Sequence, residues 1–357
     1  MKAAKLYNFH DIRIEDVPVP EVGPGDALVR VRACGICSGD VMPWYIEKKA
    51  PLVLGHEPAG EVVETGRGVT SFGKGDRVFV HHHAPCLSCR HCRRGDYVQC
   101  ETWRRSRIVP GGVSEYILVP SVNLENDTIL LPEGMGFEDA CLIEPAACVV
   151  KGLRRARIRR GDTVLVIGLG VMGMMNMLVA RKYGAERVIG ADMVRFRIEK
   201  GRELGADEVI DVSESGLLGG LREATAGGMA DLVIVGPNSA GAMKEGLACV
   251  RPGGQVLFFT PAKPGEMLTI DPNHLYFNDI NIITSYSCGP NDTADACELI
   301  EKGVVSAEKI VTHRFPIERT EEAFRLTAAA GDSLKSLVVF EDRDSNERQQ
   351  RGLSNGQ

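Results

Sequence analysis

Thr163-Val164-Leu165-Val166-Ile167-Gly168-Leu169-Gly170-Val171-Met172-Gly173 is the stretch that decides the fold. Five apolar or β-branched residues read as a short buried strand, and a G-x-G-x-x-G run follows at once. Gly168 permits a tight turn, Gly170 lets a ligand approach the backbone, and Gly173 lets the next helix pack close to the strand. Residues 172–183 read as that helix, whose first turn at Val171 and Met172 offers free N–H groups and a positive dipole end to a pyrophosphate. The next strand ends at Asp192, nineteen residues after Gly173. An acidic side chain there accepts from the adenosine ribose hydroxyls and repels a 2′-phosphate, which favours NAD over NADP. Arg195 and Arg197 follow, and an arginine is the residue that accommodates that phosphate, so the preference is not absolute. The uncharged run 163–180 is long enough to suggest a membrane span, but its glycines and Asn176 fit a strand, turn and helix better.

Working outward, strands at 187–191, 209–212, 232–235 and 255–259 alternate with helical text such as 195–204. That alternation predicts an α/β domain with a doubly wound parallel sheet of the Rossmann type over 147–284. Upstream the text is β: 27–33 alternates apolar and polar residues, 60–65, 77–80 and 113–119 are further strands, and Gly73-Lys74-Gly75-Asp76 supplies a turn. Residues 1–146, rejoined by 285–341, are expected to form a mostly antiparallel, partly open β-barrel. The tail 342–357 is polar and aperiodic and is expected to be disordered.

A length of 357 residues suits two domains. The net charge of −6 gives no basic surface for nucleic acid or anionic lipid, and the first residues have no signal-peptide core. Eleven cysteines, an odd number with four in one cluster, read as thiols and metal ligands in a reducing, cytoplasmic setting.

Cys86-x2-Cys89-x2-Cys92-x7-Cys100 is the most specific signal. Four thiolates so close can close a tetrahedral shell around one Zn²⁺, and a closed shell is structural. The spacing is not that of the ferredoxin clusters. His81, His82, His83 and His91 nearby read as surface or barrel-end histidines rather than ligands.

A second metal set is looser. Cys37 precedes Gly55-His56-Glu57, and Glu144 stands where the β region meets the α/β region. Cys, His and Glu can hold a zinc while leaving room for water or substrate. Asp40 is too near Cys37 to be a ligand, and its better role is to fix the His56 ring. Each of these residues alone would be an ordinary core or surface group; their coincidence with a dinucleotide motif and a four-cysteine loop makes them a candidate catalytic centre.

Taken together, Cys34-Gly35-Ile36-Cys37-x2-Asp40, Gly55-His56-Glu57, Gly73-Lys74-Gly75-Asp76-Arg77-Val78, the four cysteines, Gly111-Gly112-Val113-Ser114-Glu115-Tyr116, Glu144-Pro145 and the glycine fingerprint resemble the zinc-containing medium-chain dehydrogenase/reductase family. Glu144-Pro145 is similar to the sorbitol, threonine and glucose dehydrogenase branches. The resemblance implies a GroES-like catalytic domain, a Rossmann domain, a catalytic and a structural zinc, and a homo-oligomer, with a tetramer favoured over a dimer. It implies hydride transfer from a secondary alcohol, polyol or sugar hydroxyl to NAD. A threonine-type or NADP-linked sugar dehydrogenase, a zinc-free enone reductase and a non-catalytic zinc protein of the same fold are the rival readings. The pattern departs at the proton relay. The family often has Ser or Thr two residues after the zinc cysteine, where this chain has Gly39, with the hydroxyl one residue earlier on Ser38. Met42 and Pro43 also replace relay or pocket residues, which leaves Ser38, Tyr45, Glu57 or a water to move the proton. Trp44, Tyr45, Lys48 and Lys49 are candidates to touch the substrate.

Overall fold

The computed structural model describes residues 1–341, so the expectation for the tail lies outside the described residues. The fingerprint strand Thr163–Ile167 sits in the middle of a six-stranded, wholly parallel sheet. To one side lie Arg187–Asp192 and Glu208–Asp211; to the other lie Ala230–Val235, Val250–Phe258 and Asn281–Thr284. Strand order reverses beside the first strand, and ligands of doubly wound sheets bind at such a switch point. The strand's residues from Val164 to Ile167 are buried on both faces, which is why the run is continuously apolar rather than alternating.

The other main sheet has seven strands. Ala27–Gly35 lies between Lys335–Val339 and Pro58–Thr65, with Arg77–Val80 and Thr128–Leu130 beyond, and Tyr116–Val119 pairs its other end. All these pairings are antiparallel, while Val311–Pro316 joins the far edge in parallel. The chain thus builds most of this antiparallel sheet, leaves it to form the parallel one, and returns to add the last two strands. A small three-stranded sheet of Lys2–Asn8, Asp11–Asp16 and Leu52–Val53 completes the β part.

One helix, Ile143–Ala156, links the two parts. The expected boundary at 146/147 falls inside it. Its buried face packs in a core that contains Ala33, Phe79 and Leu337 from the antiparallel sheet and Val164, Leu232 and Leu257 from the parallel one. Arg154 pairs with Asp292 and Asp295 of the helix Pro290–Glu301, fastening the returning chain alongside. Among the described residues no helix is long and apolar enough to cross a membrane, and the 163–180 run is strand, turn and helix.

Candidate active site and metal centres

The strand Ala27–Gly35 ends beside the strand Pro58–Thr65, and the residues just past one and just before the other converge. One ligand atom each of Cys37, His56 and Glu57 lies within 4.8 Å of the others. Asp40 Oδ2 stands 3.0 Å from His56 Nδ1, so the ring is oriented with Nε2 turned to the cluster. The amide of Gly39 donates to Cys37 Sγ at 3.3 Å. Burial opposes charge on His56, but the Asp40 carboxylate and the Cys37 sulfur outweigh it and hold its pKa well above the ordinary value. The neighbourhood is therefore anionic and suited to a cation.

Glu57 is completely buried, and Lys335 Nζ, itself buried, forms an ion pair with its Oε2. Lys335 also donates to the Ile36 carbonyl at 3.0 Å. Gly35 makes this possible: a Cβ there would stand 1.8 Å from Glu57 Oε2 and 2.7 Å from Lys335 Cε. The other oxygen, Oε1, is buried without a hydrogen-bond partner. An unpartnered carboxylate oxygen grouped with a sulfur and an imidazole fits a zinc ion in donor type. Glu144 is also buried, but it groups with His81 and His82 on one side and with Cys148 and Cys288 on the other, not with all three of Cys37, His56 and Glu57.

Of the relay candidates, Ser38 is half-buried in the turn after Cys37. Tyr45 lies in the short helix Pro43–Ile46, and its hydroxyl is hydrogen-bonded to that of Tyr286. Lys49 Nζ sits 3.8 Å above the Tyr45 ring, and Lys48 lies 5.6 Å above that of Trp44. The histidine run corrects the surface reading. His81 is fully buried, His82 and His83 are half-buried, and only His91 of the four is exposed. The His82 ring lies 4.8 Å from that of His56, and a chain of ring contacts continues through His83 to Trp103. Burial and the neighbouring His56 hold His82 well below the ordinary histidine pKa, so it is neutral. The signal for this pocket was the triple histidine itself, placed directly after the strand Arg77–Val80.

The four cysteines of the loop also converge, their sulfurs all within 4.8 Å. Cys89–Cys92 and Cys86–Cys100 stand 3.5 and 3.6 Å apart. Cys89 and Cys100 each cap a short helix, Arg90–Arg93 and Glu101–Arg105, and the second helix carries Trp103. Hydrogen bonds from Ser88 and the Cys89 amide pull the Cys86 thiol down to about 5, toward the thiolate a metal needs.

At the glycine fingerprint, Gly168 has φ of 84°, and a Cβ on Gly173 would stand 1.9 Å from the Gly168 carbonyl oxygen. Gly170 caps the helix Val171–Lys182, and its Cβ position is open, with Arg197 the nearest group at 3.9 Å. This is an open cradle at the start of a twelve-residue helix, the geometry that accepts a pyrophosphate. Val171 and Met172 form the first turn, Met172 half-buried. Asp192 ends its strand with Oδ2 accepting from Leu169 N at 2.6 Å and Oδ1 from Met193 N and Val194 N at 2.7 and 2.9 Å. Oδ2 keeps a lone pair for a further donor, while both acceptor sites of Oδ1 are taken by the two amides. Arg197 Nη1 lies 3.9 Å from Asp192, with its Nε buried and unpaired.

Residues 23–130 match the alcohol dehydrogenase GroES-like domain, and residues 171–302 match the zinc-binding dehydrogenase domain. The chain belongs to the zinc-binding dehydrogenase family. It is 30% identical over 349 residues to the sorbitol dehydrogenase of Bombyx mori, covering 94% of this chain and 97% of that one. It superposes on an alcohol dehydrogenase from Thermus sp. ATN1 with a TM-score of 0.85 at 28% identity, covering 96% and 100% of the two chains. A zinc-binding dehydrogenase from Sinorhizobium meliloti 1021 bound to NADP gives a TM-score of 0.83 at 28% identity, covering 95% and 99%. This chain is a zinc-dependent dehydrogenase of the alcohol type that works with a nicotinamide cofactor.

Proposed function

We propose that this enzyme oxidises a secondary alcohol or polyol with NAD, at a zinc held by Cys37, His56 and Glu57 with Glu144 as the cleft-side carboxylate. The observation that carries the reading is the convergence of those three ligand atoms within 4.8 Å, with Asp40 locking the histidine ring. When bound, the metal supplies Lewis acidity to a substrate hydroxyl and the nicotinamide accepts hydride. The chain's own part is positioning. Asp40 keeps the His56 ring aimed, the Gly35 gap and Lys335 hold Glu57, and the contacting rings of His82, His83, Trp103 and Tyr286 form an aromatic run beside His56. Gly39 carries no hydroxyl, so proton departure falls to Ser38 or the paired Tyr45 and Tyr286 hydroxyls.

The polyol class is supported by the sorbitol dehydrogenase relative and by the polar, unpartnered Nδ1 of His82 in the pocket. Asp192 supports NAD, because its Oδ2 keeps acceptor capacity for ribose and its charge repels a 2′-phosphate. Arg197, 3.9 Å away, supports a residual NADP activity. Cys86, Cys89, Cys92 and Cys100 hold the second, structural zinc. We place the GroES-like domain at 1–146 with 285–341 and the Rossmann domain at 147–284. We place the enzyme in the cytoplasm, as eleven unpaired thiols favour, and as a homotetramer, on family resemblance alone.

The test is a panel of secondary alcohols, polyols, aldoses and threonine with NAD and with NADP, following reduced cofactor by absorbance. Cys37→Ser is expected to abolish turnover and leave the circular dichroism spectrum unchanged. Full activity in that variant refutes the assignment.

A further inference from the structure

Beside the catalytic centre lies a cluster of buried thiols that the mechanism does not use. Glu144 and Cys148 stand one helical turn apart on Ile143–Ala156, so both point to the same side. Cys288 comes from the returning chain just before the helix Pro290–Glu301. Ligand atoms of Glu144, Cys148 and Cys288 all lie within 4.8 Å of one another. Cys148 Sγ is 3.6 Å from Glu144 Oε1, and Cys288 Sγ is 3.7 Å from His81 Nε2. Bond lengths to zinc place neighbouring donors of a tetrahedral shell roughly 3.3–3.8 Å apart, which these two separations match; His81 adjoins the three through Cys288, and a four-coordinate shell needs its ring to move inward when a cation binds.

The histidine is prepared for a cation. His81 Nδ1 is held by Asp127 Oδ2 at 2.6 Å, and Asp127 Oδ1 accepts from the Thr293 hydroxyl at 2.6 Å. All three side chains are buried. A carboxylate that fixes one imidazole nitrogen and aims the other at a soft donor is the support found behind metal-bound histidines. The Glu144 carboxylate adds a second sign. It is buried, no ion pair reaches it among the described residues, and a thiol at 3.6 Å is a weak partner for a charge. Buried carboxylates otherwise find a cation.

We propose that His81, Glu144, Cys148 and Cys288 form a separate binding site for a thiophilic divalent cation such as zinc or cadmium, next to the catalytic metal and distinct from the four-cysteine loop. Two sulfurs, one imidazole and one carboxylate select soft or borderline ions over magnesium or calcium. The inference rests on the catalytic reading only in that Glu144 is named in both sets.

The experiment counts metal in the full-length protein after saturation with zinc, and records the ultraviolet cadmium–thiolate band after exchange into cadmium. Cys148 is half-buried, so Cys148→Ala is the first variant, and it is expected to hold one equivalent fewer than the parent with a weaker band. Asp127→Asn, which loosens His81 without removing a ligand, is expected to weaken that equivalent roughly 10- to 100-fold. Equal metal content and equal bands in parent and Cys148→Ala overturn the proposal. Cys37→Ser separates the two readings: if it keeps the parent's metal content while Cys148→Ala loses an equivalent, the catalytic assignment fails and this site stands.

Discussion

Replacing Lys335 by Met isolates the buried ion pair that holds Glu57. Both side chains are at or below 1% exposure, so no solvent screens the pair. The substitution keeps the apolar stem but removes the cation and its hydrogen bond to the Ile36 carbonyl. Breaking a buried pair from one side costs about 3–5 kcal/mol, because a carboxylate stays behind without compensation. For 357 residues, at about 2.1 cal/mol/K of unfolding entropy each, that corresponds to a fall in melting temperature of roughly 4–7 °C. Burial already raises the Glu57 pKa against the pull of Lys335, and removing the lysine raises it further. A carboxyl with a raised folded-state pKa is stable while protonated and loses that stability as pH rises above the ordinary carboxyl range. The metal-depleted variant should therefore weaken progressively from about pH 4 upward, whereas Glu57→Gln/Lys335→Met should regain much of the loss and show no such slope. In zinc-loaded protein a cation at Cys37, His56 and Glu57 compensates the same carboxylate, and the deficit should shrink. Thermal unfolding followed by circular dichroism, with and without chelator, reads all four states. A Lys335→Met protein within about 1 kcal/mol of the parent, or a double variant no better than the single, would refute the account.

Three further outcomes are expected. Cys89→Ser should open the four-cysteine lobe, seen as faster proteolysis near 86–105 and release of one zinc, since the ion's binding energy holds the loop folded. Gly173→Ala places a methyl 1.9 Å from the Gly168 carbonyl and should cost about 1–3 kcal/mol while raising the Kd for NAD in fluorescence titrations. Burial lowers the His83 pKa to about 4, below the ordinary 6.5, so its neutral form supports the fold above that range. Unfolding free energy should decline as pH falls from about 6.5 to 4, and His83→Gln should flatten part of that decline in denaturant titrations across pH.

The parallel sheet was legible because its strands are continuously buried and its turns need glycine. Thr163–Ile167 and Arg77–Val80 match their expected ranges, and the helix after the fingerprint starts one residue early, at Val171. The strand Lys335–Val339 was not legible as a strand, since its partner Ala27–Gly35 lies some 300 residues away in sequence, and the edge strand Val311–Pro316 pairs only with it. For the same reason Lys335 could not be joined to Glu57, although it is the carboxylate's ion-pair partner. Cys148 and Cys288 carry no local motif, and only the crossing of Ile143–Ala156 by the returning chain brings Cys288 to His81, whereas Asp127 meets His81 where Thr128–Leu130 pairs with Arg77–Val80. Of the two readings of the histidines, His81–His83 follow the barrel-end one and His91 the surface one, because a strand end can face solvent or interior and local pattern does not distinguish them.

The helix Ile143–Ala156 works as an axle. Besides carrying Glu144, it reaches the returning strand-to-helix segment through Lys151 Nζ to the Tyr286 carbonyl at 2.7 Å and Arg155 Nε to the Thr284 carbonyl at 2.9 Å. With the Arg154 pairs these bonds tie outgoing and incoming chain into one spindle between the two sheets. Any swivel that narrows the cleft must turn about this spindle or shear four bridges at once, so closing motions keep Glu144 nearly stationary while the outer rims of both halves travel furthest.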